Sequence, residues 1–444
     1  MLKATEGLGA ASGTARCFRD AKVKLSFAIL AVCFIGGQAL ADEPDNLSLP
    51  PGFHATVVVD DLGPVRHLAV RENGDIYAST LDRGIYALHL DAKHKADQIE
   101  HFSAVQGGTG IRFYHGALYA TNATGVYRFT FDNGKELVPE KIPQIIVEGM
   151  PVRDPGFNRE NRALAVDGKG NLFVGLGGSA NLCVARNSPA AAPPGAAPQT
   201  PSGPLPVGLK PCPDLEGRSG VWRFSADKIG QKFPTDGEQL ATGIRDTTSL
   251  AWSPSDQLLY GIVHGRDDTH KYWPDIVSAA DDAQIADEMD AITKGTNFGW
   301  PYSYYDGVRK ERLISPEYGG DGKTLAPGGS YSTPVLTFTP RSAPVDLVFY
   351  SSQRFPAAYR GGAFVVLHGT GNKNGYDIVF VPFNRNGAAG SSAVFASGFA
   401  DFDPSGNPAS RAKYRPVGVA VGPDGALYVA DSQLGRIWRI AYGE

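Results

Sequence analysis

Four cysteines and three methionines are few for a chain of 444 residues, and several chemical signatures are missing from it altogether. No Cys-x-x-Cys-His string is present, so no haem is held covalently and electrons from any redox reaction must leave to a separate acceptor. No Gly-x-Gly-x-x-Gly stands between a strand and a helix, and there is no phosphate loop. The absence of a Gly-x-Ser-x-Gly elbow removes the common esterases. Charge of one sign is also missing: 42 Lys and Arg against 46 Asp and Glu leave a net charge of −4. That balance argues against nucleic acid or an anionic membrane surface as a partner. The longest apolar run, Leu25–Ile35, is too short to span a bilayer comfortably. Downstream of it no strong helical period appears.

That run reads as the core of an export signal. Lys22 and Lys24 flank it, and Ala39-Leu40-Ala41 offers a cleavage site before Asp42. Residues 1–41 are therefore expected to be a signal peptide, with an uncleaved anchor or a lipid on Cys33 as alternatives. The mature protein, 42–444, would be periplasmic or secreted without stable membrane insertion. Cleavage removes Cys17 and Cys33 and leaves Cys183 and Cys212, which in an exported protein suggest one disulfide; two buried thiols are the other possibility. A zinc site needs more ligands than two lone cysteines supply.

What the chain does have is turns, with 54 Gly and 32 Pro beside 42% hydrophobic residues. One phrase recurs: an apolar strand, a Gly-containing turn and a second apolar strand. It stands at 67–78, 163–174 and 418–429, with weaker copies at 111–120, 249–261 and 346–367. Most copies lead into a second hairpin. A four-stranded unit repeated six times predicts an all-β fold, a six-bladed β-propeller; seven blades is the alternative count. Insertions at 184–217, 265–335 and 401–413 are expected as long loops forming a funnel over one end of the central channel. A short helix is expected within 280–292.

Chemistry is expected where strands end in polar turns. His368-Gly369-Thr370-Gly371-Asn372-Lys373 follows one apolar strand and precedes another. Arg66, Arg162, Arg245, Lys373 and Arg415 stand just before or after strands at equivalent places in the repeat. Arg suits bidentate binding of carboxylates, and Lys acts as a point charge. Trp300 and Tyr302, in Gly299-Trp300-Pro301-Tyr302, offer flat aromatic faces. Asp267, Asp268, Asp281 and Asp282 are hard oxygen donors without a regular calcium loop around them.

From Leu49 to Ile440 the sequence resembles the quinoprotein glucose/sorbosone dehydrogenases, and within them the pyranose dehydrogenase-like branch. The resemblance is strongest at 245–302, 343–383 and 415–440. It implies an exported six-bladed propeller that holds pyrroloquinoline quinone and calcium. Such an enzyme oxidises an aldose or pyranose and passes electrons to an external acceptor, a cytochrome or a quinone. Residues matching the family's cofactor positions are Arg162, Arg245, Asn372, Lys373 and Arg415; Arg66 and His368 are expected to join them from the blade mouths, with Trp300 and Tyr302 toward the sugar. One position departs from the pattern. The family has His-x-x-Arg before a strand, with the His as base; this chain has Arg159 three places before Arg162. A guanidinium stays protonated and cannot serve as an ordinary base. Glu160 or His368 is expected to replace it, with Arg245 as the polarising cation. Arg159 also keeps two rivals in play: a propeller that binds sugar or quinone without turnover and, more remotely, a lactonase-type hydrolase.

Overall fold

The structure, a computed structural model, describes residues 47–105, 107–152, 161–185, 205–370, 374–384, 387–401 and 412–443. The expected signal peptide, Arg159, Glu160, Asn372 and Lys373 lie outside them. The described residues all belong to one compact unit that begins at Asp45. No helix among them is long and apolar enough to cross a membrane.

Six of the seven sheets carry a four-stranded antiparallel blade, one for each copy of the repeated phrase. Blade one is Val65–Val70, Ile76–Thr80, Ile85–Leu90 and Ala96–Ser103; blade two is Gly107–Tyr114, Ala117–Asn122, Gly125–Phe129 and Gln144–Glu148. In blade three, Leu164–Val166 is followed by Asn171–Leu176, Gly220–Ser225 and Glu238–Thr242. Blade four runs Asp246–Ser253, Leu258–His264, Glu288–Ile292 and Leu336–Thr337. Pro344–Phe349, Ala363–Leu367, Asp377–Val381 and Ala393–Ala396 make blade five. Blade six takes Pro416–Val421, Leu427–Asp431 and Ile437–Tyr442 from the end of the chain, and its fourth strand, Phe53–Val59, from the start. Pairing of Phe53 with Tyr442 and of Val57 with Trp438 closes the ring, so the blades leave no open seam. Each first strand packs against the next, and blade six's against blade one's.

The repeat is visible in turn geometry as well as in apolar pattern. In Arg71–Asp75, Asp167–Asn171 and Gly422–Ala426, the first residue's N–H donates to the fifth residue's carbonyl. The fourth N–H donates back to the first carbonyl. The fourth residue is Gly74, Gly170 and Gly425, with φ of +96°, +82° and +78°. A side chain there would be strained, which is why glycine marks these turns.

The expected helix within 280–292 is shorter. Ala279–Asp282 forms a single turn capped by Ser278, whereas Glu288–Ile292 is the third strand of blade four. Burial explains this: Met289 packs toward blade five and Ile292 toward blade three, the two-residue alternation of a strand rather than a helical face.

One carboxylate ties the inner ring together. Asp346, on blade five's first strand, is fully buried. Its Oδ1 accepts from Ser249 Oγ of blade four at 2.7 Å and its Oδ2 from the Val419 N–H of blade six at 2.9 Å. Arg112 Nη2 of blade two lies 3.4 Å from Oδ1, and His67 Nδ1 of blade one 3.8 Å from it. Five of the six blades thus meet at one side chain. Burial pushes the His67 imidazole down to about 4, against the pull of Asp346 and with the help of Arg112 and Arg66. His67 is therefore neutral at pH 7.

Candidate functional site

The first strands start, and the second strands finish, at the same end of the channel, as the antiparallel pairings require. This end is the mouth. It gathers the expected residues from four blades: Arg66 (blade one), Arg245 (four), His368 (five) and Arg415 (six).

His368 follows the last residue of Ala363–Leu367, and its N–H donates to the Ala343 carbonyl. Its ring bridges two residues of blade six: Nε2 lies 2.9 Å from Ser432 Oγ and Nδ1 lies 2.8 Å from Arg415 Nη2. The same guanidinium donates to the Gly369 carbonyl, with Nε 3.4 Å from the His368 carbonyl. Arg415's own N–H donates to Asp431 Oδ1 at 2.5 Å, which fixes the base of the side chain. Asp431 is buried, and burial pushes its carboxyl up while the N–H groups of Arg415, Leu434 and Gly435 hold it down.

Arg245 donates to the Gly265 carbonyl at 2.6 Å and to Asp267 Oδ2 at 2.7 Å. Asp267 also meets Arg341 at 2.8 Å, and Arg341 reaches on to Asp282 at 2.9 Å. Burial would raise the Asp267 carboxyl, but Arg245 and Arg341 together hold it below the usual range. Neighbouring Asp287 moves the other way, raised by burial and by Asp267.

Arg162 is different. It is fully buried, and its three nitrogens donate to the carbonyls of Ala123, Asn161 and Pro151 at 3.0, 3.2 and 2.6 Å. The expected cofactor cation is thus a clamp between blades two and three. A ligand carboxylate would have to displace these carbonyls to reach it. Asp246, beside Arg245, accepts from Asn161 Nδ2 and joins blades three and four at the mouth.

Cys183 and Cys212 form a disulfide with an S–S distance of 2.04 Å. Trp300 packs on it and donates from its indole N–H to the Asn181 carbonyl at 3.1 Å. A Cβ on Gly178 would meet the Trp300 ring at 2.5 Å, so glycine there lets the indole seat. Only 7% of Trp300 is exposed, and the ring is engaged in holding the loops. The Tyr302 hydroxyl accepts from the Cys212 N–H, and its ring, 4.8 Å from that of Tyr318, lines a groove of about 1060 Å³.

Among the described residues, one group of acids and histidines converges: Asp268, His270 and Asp282, whose ligand atoms lie within 4.8 Å of one another. Asp268 is paired with Lys271 at 2.9 Å, and Asp282 with Arg341 and His270, each at 2.9 Å. Cations and a ring nitrogen already serve these oxygens, which is a poor fit for calcium and its demand for six to eight oxygen ligands.

Sequence reasoning missed Arg341, Ser432, Asp431 and Asp377. Arg341 was findable, because it precedes blade five's first strand much as Arg415 precedes blade six's. Asp377, paired with Leu367 at the mouth end, has its carboxyl pushed up to about 6 by burial. No local sequence signal marks that environment.

A family model described as TrAA12-like matches residues 47–192 and 213–443. The chain belongs to the TrAA12-like family. Solved structures agree on the fold. The calcium structure of a Trichoderma reesei carbohydrate-active enzyme of family AA12 aligns with a TM-score of 0.69 at 16% identity, over 90% of this chain and 97% of that one. The holo form of the pyranose dehydrogenase PQQ domain from Coprinopsis cinerea aligns at 0.68 and 16%, over 90% and 98%. The PQQ-bound aldose sugar dehydrogenase of Streptomyces coelicolor aligns at 0.52 and 18%, over 89% and 99%. No curated protein sequence matches significantly.

Proposed function

We propose that this TrAA12-like protein is an exported quinoprotein oxidoreductase. It would oxidise an aldose or pyranose with pyrroloquinoline quinone and pass the electrons to an external acceptor, a cytochrome or a quinone. The observation that carries the reading is the pairing of a titratable imidazole, His368, with a guanidinium, Arg415, at the channel mouth, 2.8 Å apart. Family membership and PQQ-bound structural relatives support it.

The residues present fit a flat ligand with three carboxylates. Arg66, Arg245 and Arg415 place guanidinium charge at the mouth from three blades, Arg245 already paired with Asp267, and guanidinium forks match carboxylate geometry. Among the described residues, three buried hydroxyls near the starts of first strands, Thr109 Oγ1, Thr247 Oγ1 and Ser342 Oγ, lack a hydrogen-bond partner. Buried hydroxyls in that state are ready to meet a polar ligand. When bound, the cofactor supplies an orthoquinone that accepts a hydride from the sugar carbon. The chain's own part is to grip the carboxylates, to place a positive charge where negative charge develops, and to receive the sugar hydroxyl proton on His368. The acid cluster at Asp268 and Asp282 does not suit calcium, and none of these roles needs it.

Anaerobic mixing with pyrroloquinoline quinone and a panel of aldoses and pyranoses tests the reading. Sugar-dependent reduction of bound quinone, followed by its absorbance, is the expected result. Quinone binding with no sugar able to reduce it would favour a silent carrier. Absence of quinone binding would remove the proposal.

A further inference from the structure

Arg415 stands on the nitrogen that His368 needs as a base. A guanidinium carries only donors and keeps its charge, so Nδ1, 2.8 Å from Nη2, must be the acceptor. The imidazole proton then sits on Nε2 and donates to Ser432 Oγ at 2.9 Å. In this arrangement neither nitrogen has a lone pair available to a sugar hydroxyl. We propose, resting on the quinoprotein reading above, that Arg415 is a positioning residue that caps His368 until a carboxylate ligand draws the guanidinium away and uncovers Nδ1.

Several features suit Arg415 to this task. Its backbone is held on both sides, by Asp431 Oδ1 at its N–H and by the Ser432 N–H at its carbonyl. Movement is therefore confined to the side chain, which is only partly buried. Its acceptors on blade five are two neutral carbonyls and a neutral ring nitrogen. A carboxylate is a stronger partner for a guanidinium than any of these, because both members of the bond are then charged. Ser432 keeps its place on Nε2 and holds the ring in the orientation that presents Nδ1. The charged side chains on the elements packed about the ring are Arg415 and Asp431 of blade six and Arg341 and Asp377 of blade five. Of these, Arg415 stands 2.8 Å from Nδ1 and bears directly on the ring's proton affinity. Ligand binding and creation of the base become one event, and sugar entering an empty site finds no base.

The test is ¹⁵N NMR of histidine-labelled full-length mature protein, with the His368 signals identified by their loss in His368→Gln. Without ligand, the parent should show a bare Nδ1 and a protonated Nε2. Arg415→Gln should take up its second ring proton about one pH unit higher or more, because the adjacent positive charge is gone. Adding pyrroloquinoline quinone to the parent should produce the same upward shift, and adding it to Arg415→Gln should produce none. Ser432→Ala, which leaves the guanidinium in place, should keep the bare Nδ1. Identical titration of the parent and Arg415→Gln without ligand would overturn the cap, as would a bare Nε2 in Ser432→Ala. So would quinone that binds the parent and leaves the His368 signals unmoved. If quinone does not bind at all, the functional reading fails, yet the ligand-free comparison still decides whether Arg415 caps the ring.

Discussion

Arg162 and Arg415 both stand just ahead of a blade's first strand, two places apart in the repeat, and do opposite things. Arg162 is fully buried, with each guanidinium nitrogen on a backbone carbonyl. Arg415 is partly exposed, fixed by its backbone, with its guanidinium laid over a turn that also carries a histidine. Neighbouring places in the repeat share an end of the channel and not a role. Which carbonyls lie nearby decides whether a cation staples two blades or waits for a ligand.

The largest effect that separates them is on stability. Arg162→Ala takes this donor from the buried Asn161 carbonyl and the half-buried Ala123 and Pro151 carbonyls, at about 1–3 kcal/mol for each that water does not reach. Water entering the space recovers part of that, so a total loss of about 3–5 kcal/mol is expected from chemical denaturation. Arg415→Gln should lose no more than about 1 kcal/mol on the same measurement, while quinone affinity, read by fluorescence quenching, falls at least tenfold. Equal destabilisation of the two variants would erase the distinction drawn between them.

A second contrast separates the mouth from the floor beneath it. At the floor, Asp346 is met from every side and His67 is held neutral. The sign of the pH effect follows from the depressed imidazole. Between its ordinary value of 6.5 and about 4 the unfolded chain binds a proton that the folded one refuses, so stability falls as pH falls through that window. The shift corresponds to roughly 3 kcal/mol lost by pH 4. His67→Gln should flatten that part of the stability profile, whatever its stability at pH 7. A profile just as steep in the variant would mean that another group carries the acid sensitivity.

The fold was legible because turns and strands are local. Glycine at the fourth turn position, alternation of apolar residues and the count of six phrases are written in consecutive residues. The mouth was legible in part for the same reason: Arg66, Arg245, His368 and Arg415 sit at marked places in the phrase. Arg162 sits there too, and its burial depends on Ala123 and Pro151 of the preceding blade, which no local pattern encodes. Trp300 and Tyr302 belong to one rare string, yet the Trp300 ring packs on the disulfide and the Tyr302 ring lines the groove beside Tyr318. That divergence arises from how the loop at 265–335 folds over Cys183–Cys212, a contact between segments roughly a hundred residues apart. The acids at 267, 268 and 282 have no calcium loop to set them apart from ordinary loop acids, and they are partners of Arg245, Arg341 and Lys271.

Arg341 gives the finest resolution of the comparison, since it lies between the two extremes. It precedes blade five's first strand, carries a left-handed φ of +64°, and bridges Asp267 and Asp282. Its side chain is about a third exposed, so solvent weakens both ion pairs. Asp282 keeps the Thr269 N–H at 2.8 Å and His270 at 2.9 Å if Arg341 is lost. Arg341→Gln is therefore expected to cost less than about 1 kcal/mol of stability. Its effect on quinone affinity should be smaller than that of Arg415→Gln, because both of its terminal nitrogens are engaged by carboxylates, which a ligand carboxylate does not readily outcompete. Titrating quinone into the two variants side by side checks the order. If Arg341→Gln proves the weaker binder, the carboxylates of the ligand lie over blades four and five, and the cation that matters at this mouth is one already paired in the empty protein.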